Sequence, residues 1–164
     1  SALAAEDLHI YAGVCLPPES FTAALLHDIG KLVITEIVSE QNLMCILKLC
    51  DSEGMSFIDA EKKVLGVSHS EIGNKLAHIW KFPKSIINAI LYHHNPDDIK
   101  DSVVDAVHIS NLVAKTLGIG LGVEAFNLFG SSGSANRIKL SKEGFESLCA
   151  LVMSEIPKVE KLYN

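Results

Sequence analysis

Apolar residues recur every three to four positions along most of the chain, which is the spacing of an amphipathic α-helix. In the segment 31–49, Ile34 and Ile37 are followed by Ile46 and Leu47. Eight segments with this spacing are predicted as helices: 1–13, 19–28, 31–49, 56–65, 68–80, 83–94, 101–117 and 141–156. No segment shows the strict alternation of a half-buried strand. The predicted fold class is therefore all-α, a single compact helical bundle of about seven or eight helices.

Residues that favour helix ends separate these segments. A break near Ser39 is compatible with the pattern of 31–49, and residues 51–54 are predicted as a turn. Ser68 and Glu71 have the S-x-x-E spacing of a capping box, which predicts a helix that begins just after Ser68. Pro157 is predicted to end the last helix.

The C-terminal quarter has a different composition from the rest. Residues 118–136 are rich in Gly, Ser and Asn, and Gly130 to Ser134 is predicted as a flexible loop. Ser141 then favours the start of a last helix. We therefore predict a helical core over 1–120, followed over 121–164 by a Gly/Ser loop and a C-terminal helix packed on the same domain.

Composition narrows the function classes. The chain has 164 residues, a formal net charge of −6 and one arginine, Arg137, so it lacks the clustered basic residues of a nucleic-acid-binding surface. No apolar run approaches the roughly 20 residues that cross a bilayer. The N-terminal residues also lack the basic and apolar regions of a signal peptide. These features predict a cytoplasmic protein that binds neither nucleic acid nor membrane.

Histidine and aspartate residues occur at three predicted helix ends. His27 and Asp28 follow an apolar helix, His69 lies in the first turn of another, and His93 and His94 end a third. Imidazole and carboxylate are ligands for metals such as Zn, Fe, Mn and Ni. Each position alone is also explained as a hydrogen-bonded core residue or a favourable helix-end charge. Together they predict a metal site, provided that the three helix ends converge.

Other polar and aromatic residues have simpler interpretations. His9, His78 and His108 lack this context and are interpreted as core-edge or surface residues. Trp80 and Phe82 are interpreted as packing residues. A lysine just past a helix end, Lys31, is either a solvated side chain or a group that neutralises a bound phosphate.

The order of these motifs resembles a known family. The segment His27-Asp28-Ile29-Gly30-Lys31 is similar to the motif of the HD superfamily. The later motifs E-x-x-x-L-G-x-x-H-x-x-x-G from Glu61, W-x-x-P from Trp80 and A-I-x-x-H-H-x-P from Ala89 resemble the HDOD branch of that superfamily. The resemblance covers about residues 1–120 and implies a helical bundle of the HD-domain type. The chain resembles the C-terminal part of such a domain.

The resemblance also implies a ligand set that this chain matches in part. HD proteins use an upstream His, the His-Asp pair and a later Asp. The upstream position falls before residue 1, and the later position falls at the neutral Asn111. Asp105 lies about one and a half helical turns away from that position. Two of the four ligands are therefore absent or weakened relative to the superfamily pattern.

Three functions remain open on this basis. The preferred one is a regulatory HDOD-type module of bacterial signal transduction, with a degenerate metal site and a protein partner or a second copy of itself. The alternative is a metal-dependent phosphohydrolase of a nucleotide or phosphate ester, with Asp28 and Lys31 in catalysis. In both, a divalent metal (Fe, Mn, Mg, Zn or Ni) is bound by the residues His27, Asp28, His69, His93 and His94. The third is a helical scaffold without metal.

Overall fold

The residues that the structure describes form ten α-helices and a short 3₁₀ turn. A computed structural model describes residues 1–119 and 131–163. The helices are α1 (Ala2–Tyr11), α2 (Ser20–Leu26), α3 (Ile29–Ile37), α4 (Glu40–Glu53), α5 (Phe57–Leu65), α6 (His69–Ile79), α7 (Lys84–Tyr92), α8 (Ser102–Thr116), α9 (Ser132–Arg137) and α10 (Lys142–Tyr163). The 3₁₀ turn is Pro96–Asp98. The described residues contain no strand, which confirms the predicted all-α class.

Two predicted helix starts are confirmed by side-chain caps. Ser39 separates α3 from α4, and its Oγ accepts a hydrogen bond from the backbone N–H of Asn42 at 3.3 Å. Ser68 and Glu71 form the complete capping box at the start of α6. The turn predicted at 51–54 is wrong for its first three residues, because α4 continues to Glu53. Only Gly54 leaves the helix, with a φ of 63° that a residue without Cβ adopts readily.

The C-terminal region is more helical than its composition indicates. Gly130 lies outside the described residues, but the flexible loop predicted for the next residues is wrong: Ser131 caps the short helix α9. The predicted stop at Pro157 is also wrong, because α10 continues through it to Tyr163. The carbonyl four residues earlier belongs to Met153, whose side chain is 64% exposed. Water can therefore reach this turn and satisfy the carbonyl that proline leaves without a donor.

Helix α8 is the centre of the domain, because both large hydrophobic clusters draw on it. One cluster joins it to α2, α6 and α7 and contains Ala23, Ala77, Ile90 and Val104. The other joins it to α1 and α10 and contains Leu8, Ala106, Ile109, Val113, Leu148 and Val152. Among the described residues, no helix is long and apolar enough to cross a membrane.

Helices α3 and α6 pack with almost no space between their backbones. A Cβ added to Gly30 would overlap the carbonyl oxygen of His69 and lie 2.8 Å from the amide nitrogen of Gly73. A Cβ on Gly73 would lie 2.8 Å from Cγ2 of Ile90. Glycine at these positions therefore lets the start of α6 lie directly against the start of α3, next to Asp28.

Candidate metal centre

Helix ends bring the predicted ligands together. His27 follows the last residue of α2, Asp28 precedes the first residue of α3, His69 begins α6, and His93 and His94 follow α7. Asp28 stands at an N-cap position, yet its carboxylate makes no cap hydrogen bond. It turns instead toward the imidazoles. The predicted convergence of three helix ends is therefore present in the structure.

Backbone carbonyls fix the tautomers of His27 and His93. Nδ1 of His27 lies 2.8 Å from the carbonyl oxygen of Ala24, and Nδ1 of His93 lies 2.9 Å from that of Ile90. A carbonyl oxygen only accepts, so Nδ1 must carry the proton in both rings. Each Nε2 is then a lone-pair donor atom. Both Nε2 atoms are buried and have no hydrogen-bond partner.

A buried carboxylate does the same for His69. Oε2 of Glu61 lies 2.6 Å from Nδ1 of His69 and accepts the His69 backbone N–H at 2.9 Å. Both residues are fully buried. Nε2 of His69 is directed away from Glu61 and lies 3.0 Å from Nε2 of His94. A carboxylate that orients a metal-binding histidine in this way also raises the basicity of its Nε2.

Asp28 is central to the cluster. Its Oδ1 lies 3.4 Å from Nε2 of His69 and 3.6 Å from Nε2 of His93. Its Oδ2 lies 3.3 Å from Nε2 of His27 and 2.9 Å from Nζ of Lys31. Oδ1 is buried without a hydrogen-bond partner. Lys31 is thus an ion-pair partner of the central carboxylate.

These donor atoms fit a single metal ion. One ligand atom each from Asp28, His69, His93 and His94 lie within 4.8 Å of one another. Neighbouring ligands of a tetrahedral ion with bonds of about 2.0–2.1 Å are about 3.3 Å apart, close to the separations of 3.0, 3.4 and 3.6 Å found here. The orphaned buried atoms on Asp28 and His93 are those that an ion would satisfy. His27 lies at the edge of this group, against the other carboxylate oxygen.

The protonation states suit metal binding at neutral pH. Burial lowers the pKa of His93 to about 4, so its ring is neutral. Burial, then the nearby His93 and His69, lower the pKa of His94 as well. Burial opposes ionisation of Asp28, but the adjacent imidazoles of His27 and then His93 outweigh it and hold the pKa of the carboxyl well below its usual value. Neutral imidazoles and an ionised carboxylate are the ligand forms.

A cavity of about 300 Å³ opens beside this cluster. Its lining residues are Ser56, Ile58, Asp59, His93, His94, Asn95, His108, Asn111, Leu112 and Lys115. Asn111, the position implied for a later Asp ligand, therefore shares the cavity with the two histidines. Asp105 does not reach it, because its carboxylate is paired with Arg137 at 2.6 and 2.8 Å.

Sequence reasoning missed two residues of the site, Glu61 and His108. Glu61 belongs to the quoted motif, eight residues before His69, but its role shows only once both side chains are placed. His108 is buried, and its Nδ1 hydrogen-bonds the backbone carbonyl of His93. His9 and His78 are exposed, as expected. The rings of Trp80 and Phe82 pack edge to face with centroids 5.7 Å apart.

The fold is an all-α domain whose helix ends meet at a His/Asp cluster. Comparison with known families identifies the family to which it belongs. The chain belongs to the HDOD family: the HDOD domain model matches residues 1–96. The matched residues include all five predicted metal ligands. Helix α8, which supplies His108 and Asn111, follows them.

The chain is similar to one curated protein and to a solved HDOD domain protein. An uncharacterized protein of Treponema pallidum (strain Nichols) is 30% identical over a 112-residue alignment that covers 60% of this chain and 20% of that protein. An HDOD domain protein of unknown function from Geobacter sulfurreducens is 25% identical, with a TM-score of 0.71 over 96% of this chain and 57% of its own. The chain therefore spans one fifth of the curated relative and little more than half of this solved one.

Two further solved structures share the fold. A "Putative signal transduction protein" from Marinobacter aquaeolei VT8 has a TM-score of 0.76 and 18% identity, covering 98% of this chain and 37% of its own. A "Putative phosphohydrolase" from Shewanella amazonensis SB2B has a TM-score of 0.65 and 22% identity, covering 94% and 56%. At these identities the likeness extends to the fold alone.

Replacing the carboxylate behind His69 tests whether it orients a ligand. We expect Glu61→Gln to weaken Co²⁺ binding about 10-fold, because the amide keeps the size of the side chain but loses the charge that raises the basicity of the ring. Isothermal titration of the metal-free protein measures this. Glu36→Gln, on the exposed surface of α3, is the control. Equal affinities in Glu61→Gln and wild type would show that Glu61 does not support a ligand.

Proposed function

We propose that this chain is a regulatory HDOD module of cytoplasmic signal transduction, which holds one divalent metal ion and acts through a protein partner without turnover of a substrate. The observation that carries the proposal is the charge of the ligand group. Within the described residues, Asp28 is the one carboxylate among the four grouped ligands, and the other three are imidazoles, which bind metals in their uncharged form. One negative charge suits one divalent ion.

Two-metal hydrolysis needs more negative charge than this cluster supplies. Two divalent cations about 3.5–4 Å apart repel each other strongly, and the bridging and terminal carboxylates of such sites offset that repulsion. Here Lys31 already takes part of the charge of Asp28 through a 2.9 Å ion pair. Asn111, in the adjoining cavity, adds no charge. The donor set therefore supports a mononuclear centre.

The chemistry of the donors also limits the metal. Imidazole nitrogen suits Zn, Fe and Ni, whereas Mg prefers oxygen ligands and retains water. A group of three imidazoles with one carboxylate therefore favours Zn, Fe or Ni over Mg, with Mn in between. When bound, the ion would hold α6 and the C-terminal end of α7 against the α2–α3 junction.

A partner protein is supported by apolar side chains that remain exposed on the metal-holding helices. Leu25 of α2, Leu32 of α3 and Ile79 of α6 are 63%, 64% and 73% exposed. Exposed apolar surface of this kind is typical of protein contacts. Because the same three helices supply ligands, an ion that holds them together would also set the shape of that surface. A second copy of the chain is the simplest partner, and light scattering of the purified protein tests it.

Metal content and turnover measured on one sample test the proposal. We expect purified protein to contain about one transition-metal ion per chain by mass spectrometry of the metals, and no hydrolysis of bis(p-nitrophenyl) phosphate with added Mn²⁺. Turnover that disappears in Asp28→Asn would contradict the regulatory function and favour an enzyme. Absence of any bound metal would contradict the metal centre itself.

A single substitution tests the charge argument within this experiment. Asn111→Asp adds a carboxylate of the same size beside His93 and His94. We expect it to raise the metal content above one ion per chain, because the added charge offsets repulsion between cations. Asp59→Asn, which removes a carboxylate from the exposed rim of the same cavity, is the matched control.

The cavity supports a second candidate function, a metal-dependent phosphohydrolase of a nucleotide or phosphate ester. A volume of about 300 Å³ beside the ligands accommodates a small substrate, and Lys115 in its wall brings positive charge. The metal would supply a bound water of lowered pKa. Asp28 would hold the ion, and Lys31 would add charge near the phosphate. The phosphodiester assay above decides between the two functions.

A further inference from the structure

A hydrogen-bonded chain links α9 to the metal ligand His93. The backbone N–H of Ser131 lies 2.9 Å from Nε2 of His108, so that nitrogen accepts. The proton of His108 is therefore on Nδ1, which donates to the carbonyl oxygen of His93 at 2.8 Å. Each ring nitrogen of His108 faces a backbone group, one that can only donate and one that can only accept. These two backbone groups alone determine the tautomer. Burial lowers the pKa of His108, which keeps this neutral form.

Arg137 holds the segment that supplies this N–H. Its guanidinium makes two hydrogen bonds to Asp105 of α8, at 2.6 and 2.8 Å, and one to Asp97 at 2.8 Å. It also donates to the carbonyl of Pro96 at 3.1 Å. Asp105 is almost fully buried, so loss of Arg137 would leave a buried carboxylate without a charged partner. These hydrogen bonds of Arg137 hold α9 against α8 and against the turn that follows His93 and His94.

We propose that His108 and Arg137 are positioning residues for the ligand His93. His108 acts directly on the His93 backbone, and Arg137 acts on His108 through α9. The imidazole of His93 is held by its own Nδ1 bond to Ile90, while its backbone is held by His108. Movement of α9 would release the second restraint and shift Nε2 relative to Asp28. The inference rests on the metal centre proposed above and names the route by which another part of the molecule regulates it.

Two substitutions at one position separate positioning from stability. In His108→Asn the amide nitrogen replaces Nδ1 and keeps the donor to His93, whereas in His108→Gln the amide extends toward Ser131 and the donor is lost. With Co²⁺ as the probe on the full chain, we expect His108→Gln to bind about 10-fold more weakly and to change the visible absorption spectrum of the ion. His108→Asn should restore the wild-type spectrum. His9→Gln, which alters an exposed histidine with a similar Nδ1 contact to a carbonyl, is the control.

A double substitution tests the route from Arg137. Arg137→Lys keeps the positive charge but cannot make the forked contacts to Asp105. We expect Arg137→Lys to weaken Co²⁺ binding, and the loss in the double variant with His108→Gln to be smaller than the sum of the two losses. Additive losses would show that Arg137 does not act through His108, and would overturn that part of the proposal.

Nitrogen NMR of the imidazoles in metal-free protein separates this inference from the metal centre. We expect the ring signals of His93 to shift in His108→Gln and to remain in place in His108→Asn and His9→Gln. Unchanged His93 signals in His108→Gln would overturn the positioning proposal, whether or not metal binds. If wild-type protein binds no Co²⁺, the metal centre fails, while the NMR comparison still decides the positioning of His93.

Discussion

Asp28→Asn should abolish tight metal binding while leaving the helices folded. The amide has the size of the carboxylate, but it lacks the charge that faces three imidazole Nε2 atoms at 3.3, 3.4 and 3.6 Å. Loss of a residue that merely supports a ligand costs 10–100-fold in affinity, so loss of the central ligand should cost more than about 100-fold. Titration of metal-free protein with Co²⁺ measures the loss, and circular dichroism measures the fold.

The matched control for this prediction is Asp51→Asn, because Asp51 is an exposed aspartate of α4 outside the ligand group. It should bind Co²⁺ as wild type does. Comparable affinities in Asp28→Asn and wild type would show that the carboxylate is not a ligand. The single-metal proposal would then lose its one charged donor.

Among the glycines that the structure describes, we expect Gly30→Ala to be the most destabilising alanine substitution. The added Cβ would overlap the carbonyl oxygen of His69 and lie 2.8 Å from the Gly73 amide nitrogen, both of them backbone atoms that cannot rotate away. Helices α3 and α6 would have to separate, which moves His69 away from Asp28. We expect a loss of about 3 kcal/mol or more in the free energy of unfolding, at the upper end for overpacked sites. Urea denaturation of metal-free protein measures it.

A second glycine substitution provides the comparison. At Gly144 of α10, the nearest atoms to an added Cβ are side-chain atoms, Cδ1 of Leu140 at 3.2 Å and Oγ of Ser141 at 3.4 Å. These can shift, and alanine is a better helix former than glycine by about 1 kcal/mol. Gly144→Ala should therefore change stability by no more than about 1 kcal/mol. Equal effects at the two positions would show that the α3–α6 contact is looser than the structure indicates.

Local signals predicted most of the helices. Ser39, Ser56 and Ser68 each cap the helix that follows, because a side-chain oxygen close in sequence can accept the free N–H groups of the first turn. The start of a helix can thus be predicted from three or four neighbouring residues. The loop wrongly predicted at 131–134 lies where distant contacts decide the structure. Helix α9 forms from a Ser/Gly-rich segment because Arg137 and Ser134 reach Asp105 of α8.

The same distinction applies to the candidate site. His27, Asp28, His69, His93 and His94 were predicted as ligands from type and position at helix ends, and the structure brings all five together. The arrangement of these side chains relative to one another could not be predicted. His27 at the edge, Glu61 behind His69 and His108 behind the His93 backbone all depend on tertiary packing. The sequence resemblance names Glu61 as part of a motif, but hydrogen-bond geometry assigns it a partner.

The ligands are located at helix ends, and this has a consequence for how the domain would tolerate their loss. His69, His93 and Asp28 belong to first or last turns, where backbone groups lack intrahelical partners. The hydrophobic clusters around α8 are built from other residues. Without a metal ion at the candidate site, the protein would therefore keep the hydrophobic clusters that hold its helices together.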